Sequence, residues 1–260
     1  MTATAGLIFF EPSTRTRMSF EFACAREGVF PVTLSGESGT SLEKGETAED
    51  TILNIASMEP DVLIIRCGDS VDLAALAARL RRPVINAGWG KKGHPTQALL
   101  DAFAIQQRRG PLKGMRLLIV GDVRHSRVAT SHFELASHLG YEVGLACPPE
   151  FSVSHPGVRF FDDLHEGLAW ADVLMSLRVQ TERHHNQSDL IAFRNGWRLD
   201  AEKLRRLKTD GLILHPGPVN WGVELAEEVA LDPRTLILDQ VRAGVFIRQA
   251  VIRWALGRVV

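Results

Sequence analysis

The 260-residue chain reads as an α/β protein built from two doubly wound parallel-sheet domains. Two observations predict this. Short apolar, β-branched runs alternate with segments of helical periodicity, the pattern of strands covered on both faces by crossover helices. The alternation comes in two blocks on either side of residues 108–113, where Gly110-Pro111 breaks a helix, and the length suffices for two cores.

Taken in order, residues 7–10 are an apolar run read as a buried strand. Pro12 breaks it, and Ser13 is placed to cap a helix with Met18, Phe22 and Ala25 at helical spacing and Gly28 as its stop. Residues 35–47 are polar and glycine-rich without periodicity, which predicts a long exposed loop of the kind that carries function. A helix follows over 46–57, then strands over 61–66 and 83–86. His94-Pro95-Thr96-Gln97 opens a helix to about residue 107. The second block predicts strands at 115–120, 142–146, 172–177 and 211–214, with helices at 126–139, 163–170 and 201–207 between or around them. A final amphipathic helix over 245–256 carries Phe246, Ala250, Val251 and Trp254 on one face.

Composition excludes several function classes. Hydrophobic residues make up 45% and charged residues 23%, ordinary for a globular protein. A net charge of -1 gives no case for a nucleic-acid partner. Cys24, Cys67 and Cys147 lie too far apart in sequence for a disulfide framework or a zinc knuckle. No signal peptide and no bilayer-spanning apolar run is present, so the expected setting is the cytoplasm, with no membrane partner. Val120-Gly121-Asp122 lacks the G-x-G-x-x-G fingerprint, so a dinucleotide is not expected. His184-His185 have no third ligand nearby in sequence and adjacent side chains point apart, so no metal is assigned.

The chemistry-bearing residues gather at predicted strand ends, where open α/β sheets bind ligands. Ser13-Thr14-Arg15-Thr16-Arg17 is a strand-to-helix junction rich in hydroxyls and guanidiniums; helix dipole, first-turn amides and forked arginine suit an oxyanion. Arg66 ends a strand, His94 and Gln97 start a helix, and Arg127 starts the first helix of the second block. Arg178 and Gln180 follow one strand, and His215-Pro216-Gly217-Pro218 follows another. Each alone is an ordinary polar side chain. Several cations at strand ends together suit a multiply anionic ligand.

Ser13-Thr14-Arg15-Thr16-Arg17, His94-Pro95-Thr96-Gln97, Arg178-Val179-Gln180 with Glu182-Arg183, and His215-Pro216-Gly217-Pro218 together resemble the aspartate carbamoyltransferases, in register from about Leu7 to the C-terminus. An ornithine-type chain would show His-Cys-Leu-Pro in place of the last motif. The resemblance implies two domains joined by a hinge and a C-terminal crossing helix. One comprises residues 1–110 plus about 243–260 and binds carbamoyl phosphate; the other comprises 111–242 and binds aspartate. The implied activity is carbamoyl transfer to L-aspartate in de novo pyrimidine synthesis, with no cofactor.

The resemblance also implies roles. Ser13, Thr14, Arg15 and Thr16 correspond to the phosphate cradle, and Thr16, Arg66 and His94 to the donors at the carbonyl oxygen. Gln97 and the segment Pro216, Gly217, Pro218 hold the carbamoyl NH2. Arg127, Arg178 and Gln180 take the carboxylates of aspartate. Ser41 and Lys44 correspond to a loop that enters the neighbouring subunit's site, Lys44 reaching aspartate, which implies a homotrimer with shared sites. Glu11 corresponds to a domain-bridging residue partnered by Arg127 and Arg183. A regulatory chain or a dihydroorotase are further partners the resemblance admits.

Three features depart from the family pattern. The family has a further helix ahead of the first strand, without which apolar surface on helix 245–256 is expected to be exposed. Trp89 replaces an aspartate of a Gly-Asp-Gly turn, and Trp221 replaces an arginine after Asn220. These keep two alternatives open: a catalytically impaired structural homologue assembling with another pyrimidine enzyme, and a carbamoyltransferase for a different amine acceptor.

Overall fold

The computed structural model describes residues 2–36, 40–179 and 196–259. The chain divides into two compact units, Met1–Leu100 with Val241–Val260, and Asp101–Gln240. Each is built around an all-parallel sheet.

In the first unit the sheet order is β2-β1-β3-β4, with β1 Ala3–Phe9, β2 Val29–Ser35, β3 Val62–Cys67 and β4 Val84–Trp89. The period of two is visible in the packing. Ala5, Leu7 and Phe9 of β1, with Val62 and Ile64 of β3, meet α1 (Thr14–Arg26) and α7 (Ile237–Ala255) on one face. Ile8, Leu63 and Ile65 meet α2 (Ala48–Ser57) and α3 (Leu73–Arg79) on the other. Because both faces are covered, these strands are continuous apolar runs. Helix α4 (Pro95–Arg109) runs across the division between the units.

In the second unit the order is β7-β6-β5-β8-β9, with β5 Arg116–Val120, β6 Glu142–Ala146, β7 Val158–Phe160, β8 Val173–Ser176 and β9 Leu212–Leu214. Leu117, Ile119, Val173 and Met175 pack on one face against α5 (Arg127–Leu139). Leu118, Val120 and Leu174 pack on the other against α6 (Leu164–Trp170). Gly121, at φ +116°, ends β5 where a Cβ would stand 3.1 Å from the Leu177 carbonyl oxygen, so its role is close strand approach.

Several elements differ from expectation. β2 and β7 lie at sheet edges and lack a continuous apolar run; Pro31 is tolerated in β2 because an edge strand need not donate on both sides. α3 is an alanine-rich helix capped by Asp72, whose carboxylate accepts from Ala75 N at 3.1 Å. The helix expected over 201–207 is only a 3-10 turn, Lys203–Arg205. α7 begins at Ile237 rather than 245, because Gly244 lies inside the helix, where a Cβ would meet the Arg248 guanidinium at 2.5 Å. Its buried residues are Gln240, Ala243, Gly244, Arg248 and Ile252, whereas Phe246 and Trp254 are 44% and 72% exposed, so they do not form the buried face.

Candidate active site

In the first unit the C-terminal ends of β1, β3 and β4 share one sheet edge, and each leads into a segment singled out in the sequence. Phe9 lies beside Arg66 in register, and Phe10 N donates to the Arg66 carbonyl at 3.0 Å. Ser13 is the N-cap of α1, but its side chain makes no capping hydrogen bond, so the hydroxyl does not satisfy the first-turn amides. No acidic residue sits in that turn either. Desolvation lowers the Arg15 pKa from its ordinary value, because bringing a guanidinium among protein atoms disfavours its charge.

Thr16 and His94 are both buried, with Thr16 Oγ1 at 3.5 Å from His94 Nε2. Pro95 follows His94 at the first turn of α4, and Gln97 N donates to the His94 carbonyl at 2.9 Å, which places buried Gln97 one turn along. Arg66 donates from Nη1 to the Ala87 carbonyl at 3.3 Å, and its Nε stands 3.7 Å from Glu11 Oε2. The β4–α4 turn is pinned to the β3 exit: Lys91 N donates to Asp69 Oδ1 at 2.7 Å and Gly90 N to the Cys67 carbonyl at 2.8 Å. Gly90 admits no side chain, since a Cβ would lie 1.9 Å from Asp69 Oδ1. Trp89 is committed to this scaffold, donating from Nε1 to the Val71 carbonyl at 2.8 Å with Lys92 Nζ 4.2 Å from its ring centroid. Ser41 and Lys44 sit exposed on a 3-10 turn, Ser41–Lys44, inside the stretch expected to be irregular; Thr40 Oγ1 caps it by accepting from Leu42 N.

In the second unit Arg127 begins α5 behind the N-cap Ser126, whose side chain accepts from Ala129 N at 3.2 Å. The turn before it is shaped by buried Asp122, which accepts from His125 N at 3.3 Å and pairs with His125 Nδ1 at 2.8 Å. Arg178 follows β8, half-buried. Beyond β9, His215 is buried, Pro216 to Pro218 follow, and the Gly217–Pro218 peptide is cis. Gln180, Glu182, Arg183, His184 and His185 lie outside the described residues.

The residues that reading the sequence missed are those that hold these segments. Glu224 contacts His215, Asn220 and Val179. Gln240 Oε1 accepts from His215 N at 3.0 Å, and its Nε2 donates to Asp101 Oδ1 at 2.7 Å. Asp101 Oδ2 is 3.2 Å from His132 Nε2, whose ring's other nitrogen is 2.9 Å from Tyr141 Oη. The local cue was Glu224, a carboxylate flanked by Val223 and Leu225, which is costly to bury without donors. Trp221 is 40% exposed. Among the described residues no group of three or more His, Cys, Asp or Glu could hold a metal. The three cysteines are buried, and burial pushes the Cys24 and Cys147 thiols up to about 12.

Comparison with known proteins matches both units. The family described as aspartate/ornithine carbamoyltransferase, carbamoyl-P binding domain, matches residues 1–107, and its Asp/Orn binding domain matches residues 113–255. The aspartate carbamoyltransferase catalytic subunit of Agrobacterium fabrum is 43% identical over 250 residues, 94% of this chain and 80% of that protein. That of Rhodospirillum rubrum is 44% identical over 260 residues, 97% of this chain and 81% of that one. Among solved structures, aspartate transcarbamoylase from Trypanosoma cruzi in complex with carbamoyl phosphate is similar at TM-score 0.87 and 30% identity, covering 99% of this chain and 84% of that one. Ornithine carbamoyltransferase from Pyrococcus furiosus is similar at TM-score 0.89 and 26% identity, covering 100% and 86%.

Proposed function

The chain belongs to the aspartate/ornithine carbamoyltransferase family, and from that premise we infer how its residues transfer the carbamoyl group of carbamoyl phosphate to the amine of L-aspartate. The products are N-carbamoyl-L-aspartate and phosphate, in de novo pyrimidine synthesis in the cytoplasm. Residues 1–110 with 243–260 bind carbamoyl phosphate, and 111–242 bind aspartate.

Ser13, Thr14, Arg15 and Thr16 cradle the phosphate. The observation that supports this reading is the start of α1, which the Ser13 side chain does not cap, beside the buried Thr16–His94 pair. Thr16, Arg66 and His94 donate to the carbamoyl oxygen. Gln97 and the carbonyls of Pro216 and Gly217, with Pro218 closing the turn, hold the NH2. Arg127, Arg178 and Gln180 take the two carboxylates of aspartate. Ser41 and Lys44 enter the site of the next subunit of a homotrimer. Their exposure on a capped turn, and exposed Phe30 and Val32 at the sheet edge, support assembly.

The neutral amine forms the new N–C bond at the carbamoyl carbon, and negative charge develops on the carbonyl oxygen. Donors placed there bind the transition state more tightly than the ground state. The C–O bond to phosphate then breaks, and phosphate leaves with the bonding pair. Phosphate is itself a base that can take the amine proton, so no side-chain base is assigned. The remaining task is juxtaposing two anions among cations.

The test is a colorimetric assay for N-carbamoyl-aspartate with purified protein, carbamoyl phosphate and L-aspartate. Turnover is expected. Silence from folded protein would overturn the reading, in favour of another amine acceptor if one is carbamoylated, or of a structural homologue assembling with dihydroorotase if none is. Exposed Trp221 beside Asn220 is the feature favouring the acceptor alternative.

A further inference from the structure

Glu224 is 1% exposed, yet three donors converge on its carboxylate. Oε1 accepts from Asn220 N at 2.6 Å and lies 3.2 Å from His215 Nε2; Oε2 accepts from Val179 N at 3.4 Å. The geometry settles the histidine tautomer. His215 Nδ1 accepts from Gly217 N at 2.8 Å, so the ring proton is on Nε2 and points at Glu224. A second bond closes the joint, from Asn220 Nδ2 to the Val179 carbonyl at 3.0 Å. One buried side chain therefore ties the segment after β8, which carries Arg178, to the segment after β9, which carries Pro216 and Gly217.

We propose that Glu224 is a positioning residue for the reaction, holding the Arg178 segment and the Pro216–Gly217 carbonyls in one fixed relation before substrate binds. This rests on the carbamoyl transfer reading above. His215 is the intermediary on the β9 side: its ring hands the orientation of Glu224 to Gly217 N. On the β8 side the carboxylate acts directly on the backbone next to Arg178. Such buried joints are decisive because a lost partner leaves a desolvated polar group opposed to nothing.

The test is steady-state kinetics of the full chain with each substrate varied, for wild type, Glu224→Gln and Asn220→Ala, each with a thermal melt. In Glu224→Gln the amide NH2 must face either Val179 N–H or His215 Nε2–H, a donor against a donor. Its aspartate KM is expected to rise by about tenfold and kcat to fall, as Arg178 and the carbonyls lose their register. The carbamoyl phosphate KM is expected to rise less, by about threefold, because only its NH2 end meets the Pro216–Gly217 carbonyls and the phosphate cradle belongs to the other unit. Asn220→Ala is expected to raise the aspartate KM by about threefold through loss of its bond to the Val179 carbonyl.

A residue that merely supports the fold would lower kcat with the active fraction and leave both KM values alone. That result, or wild-type kinetics in both variants, overturns the proposal. If Glu224→Gln fails to melt cooperatively, an unchanged aspartate KM in Asn220→Ala overturns it. Silence of folded wild-type protein overturns the underlying reading and this proposal together, whereas variant-only outcomes bear on Glu224 alone.

Discussion

Arg15 and His94 divide the proposed chemistry between ground-state binding and transition-state binding, and their variants separate the two. Arg15 presents a forked cation at the start of α1, where desolvation already lowers its pKa, so a dianionic ligand would restore what burial removes. Arg15→Ala is expected to weaken carbamoyl phosphate binding by at least about tenfold, read by calorimetric titration. Unchanged affinity would remove Arg15 from the cradle. His94, buried against Thr16, is assigned to the carbonyl oxygen, where charge appears only during reaction. His94→Ala is therefore expected to lower kcat about a hundredfold with far smaller effects on either KM. A pure KM effect in steady-state assays would assign it to substrate binding instead.

Among the elements, the β5–β8 pair shows how a strand end is secured away from the catalytic edge. Asp172, just before β8, accepts from Arg116 N at 3.0 Å and Nε at 3.2 Å, and pairs with Arg109 and Lys208. Burial alone would raise its carboxyl, but the hydrogen bonds from Arg116 and Lys208 outweigh that and hold it at about 2. An unfolded aspartate titrates near about 3.9. The folded value is the depressed one, so the stabilisation is full above pH ~4 and is lost as pH falls toward ~2. Its partners are partly exposed and solvent screens them, leaving about 1 kcal/mol. Asp172→Asn is expected to lower the melting midpoint at pH 7 and to flatten the loss of stability between pH ~4 and ~2, measured by denaturant titrations across that range. A variant as acid-sensitive as wild type would show that other carboxylates govern the acid limb.

For the whole molecule, the proposal of shared sites has a consequence that no single chain can show. Lys44→Ala and Arg66→Ala would each be nearly inactive as homotrimers. Co-assembled at random, a site is intact when its host chain keeps Arg66 and its neighbour keeps Lys44, which happens for about a quarter of sites. Recovery of about a quarter of wild-type activity is the expected result of coexpression followed by the colorimetric assay. Failure to recover activity, with mixed trimers demonstrated by native mass spectrometry, would place Lys44 outside the neighbouring site.

What could be read from the sequence is what depends on neighbours along the chain. β1, β3, β5 and β8 are buried on both faces, so each shows an apolar run, though in β1 (Ala3–Phe9) only from Leu7 on, and their alternation implies parallel sheets. The motif residues were legible because strand ends are known once strands are. β2 and β7 were not, since polar residues, and in β2 Pro31, interrupt their apolar pattern, whereas the edge strands β4 and β9 keep it. Gly244 disguised the first two turns of α7, because its close approach to Leu100, whose side chain a Cβ would meet at 3.3 Å, is a tertiary fact. The same holds for the groups that set the strand ends. Glu224 meets Val179 across 45 residues, and Gln240 meets Asp101 across 139. Periodicity and propensity are local and fix which faces are buried. Only the folded chain decides which buried polar groups meet, because hydrogen-bond partners are chosen by distance in space once water has been excluded.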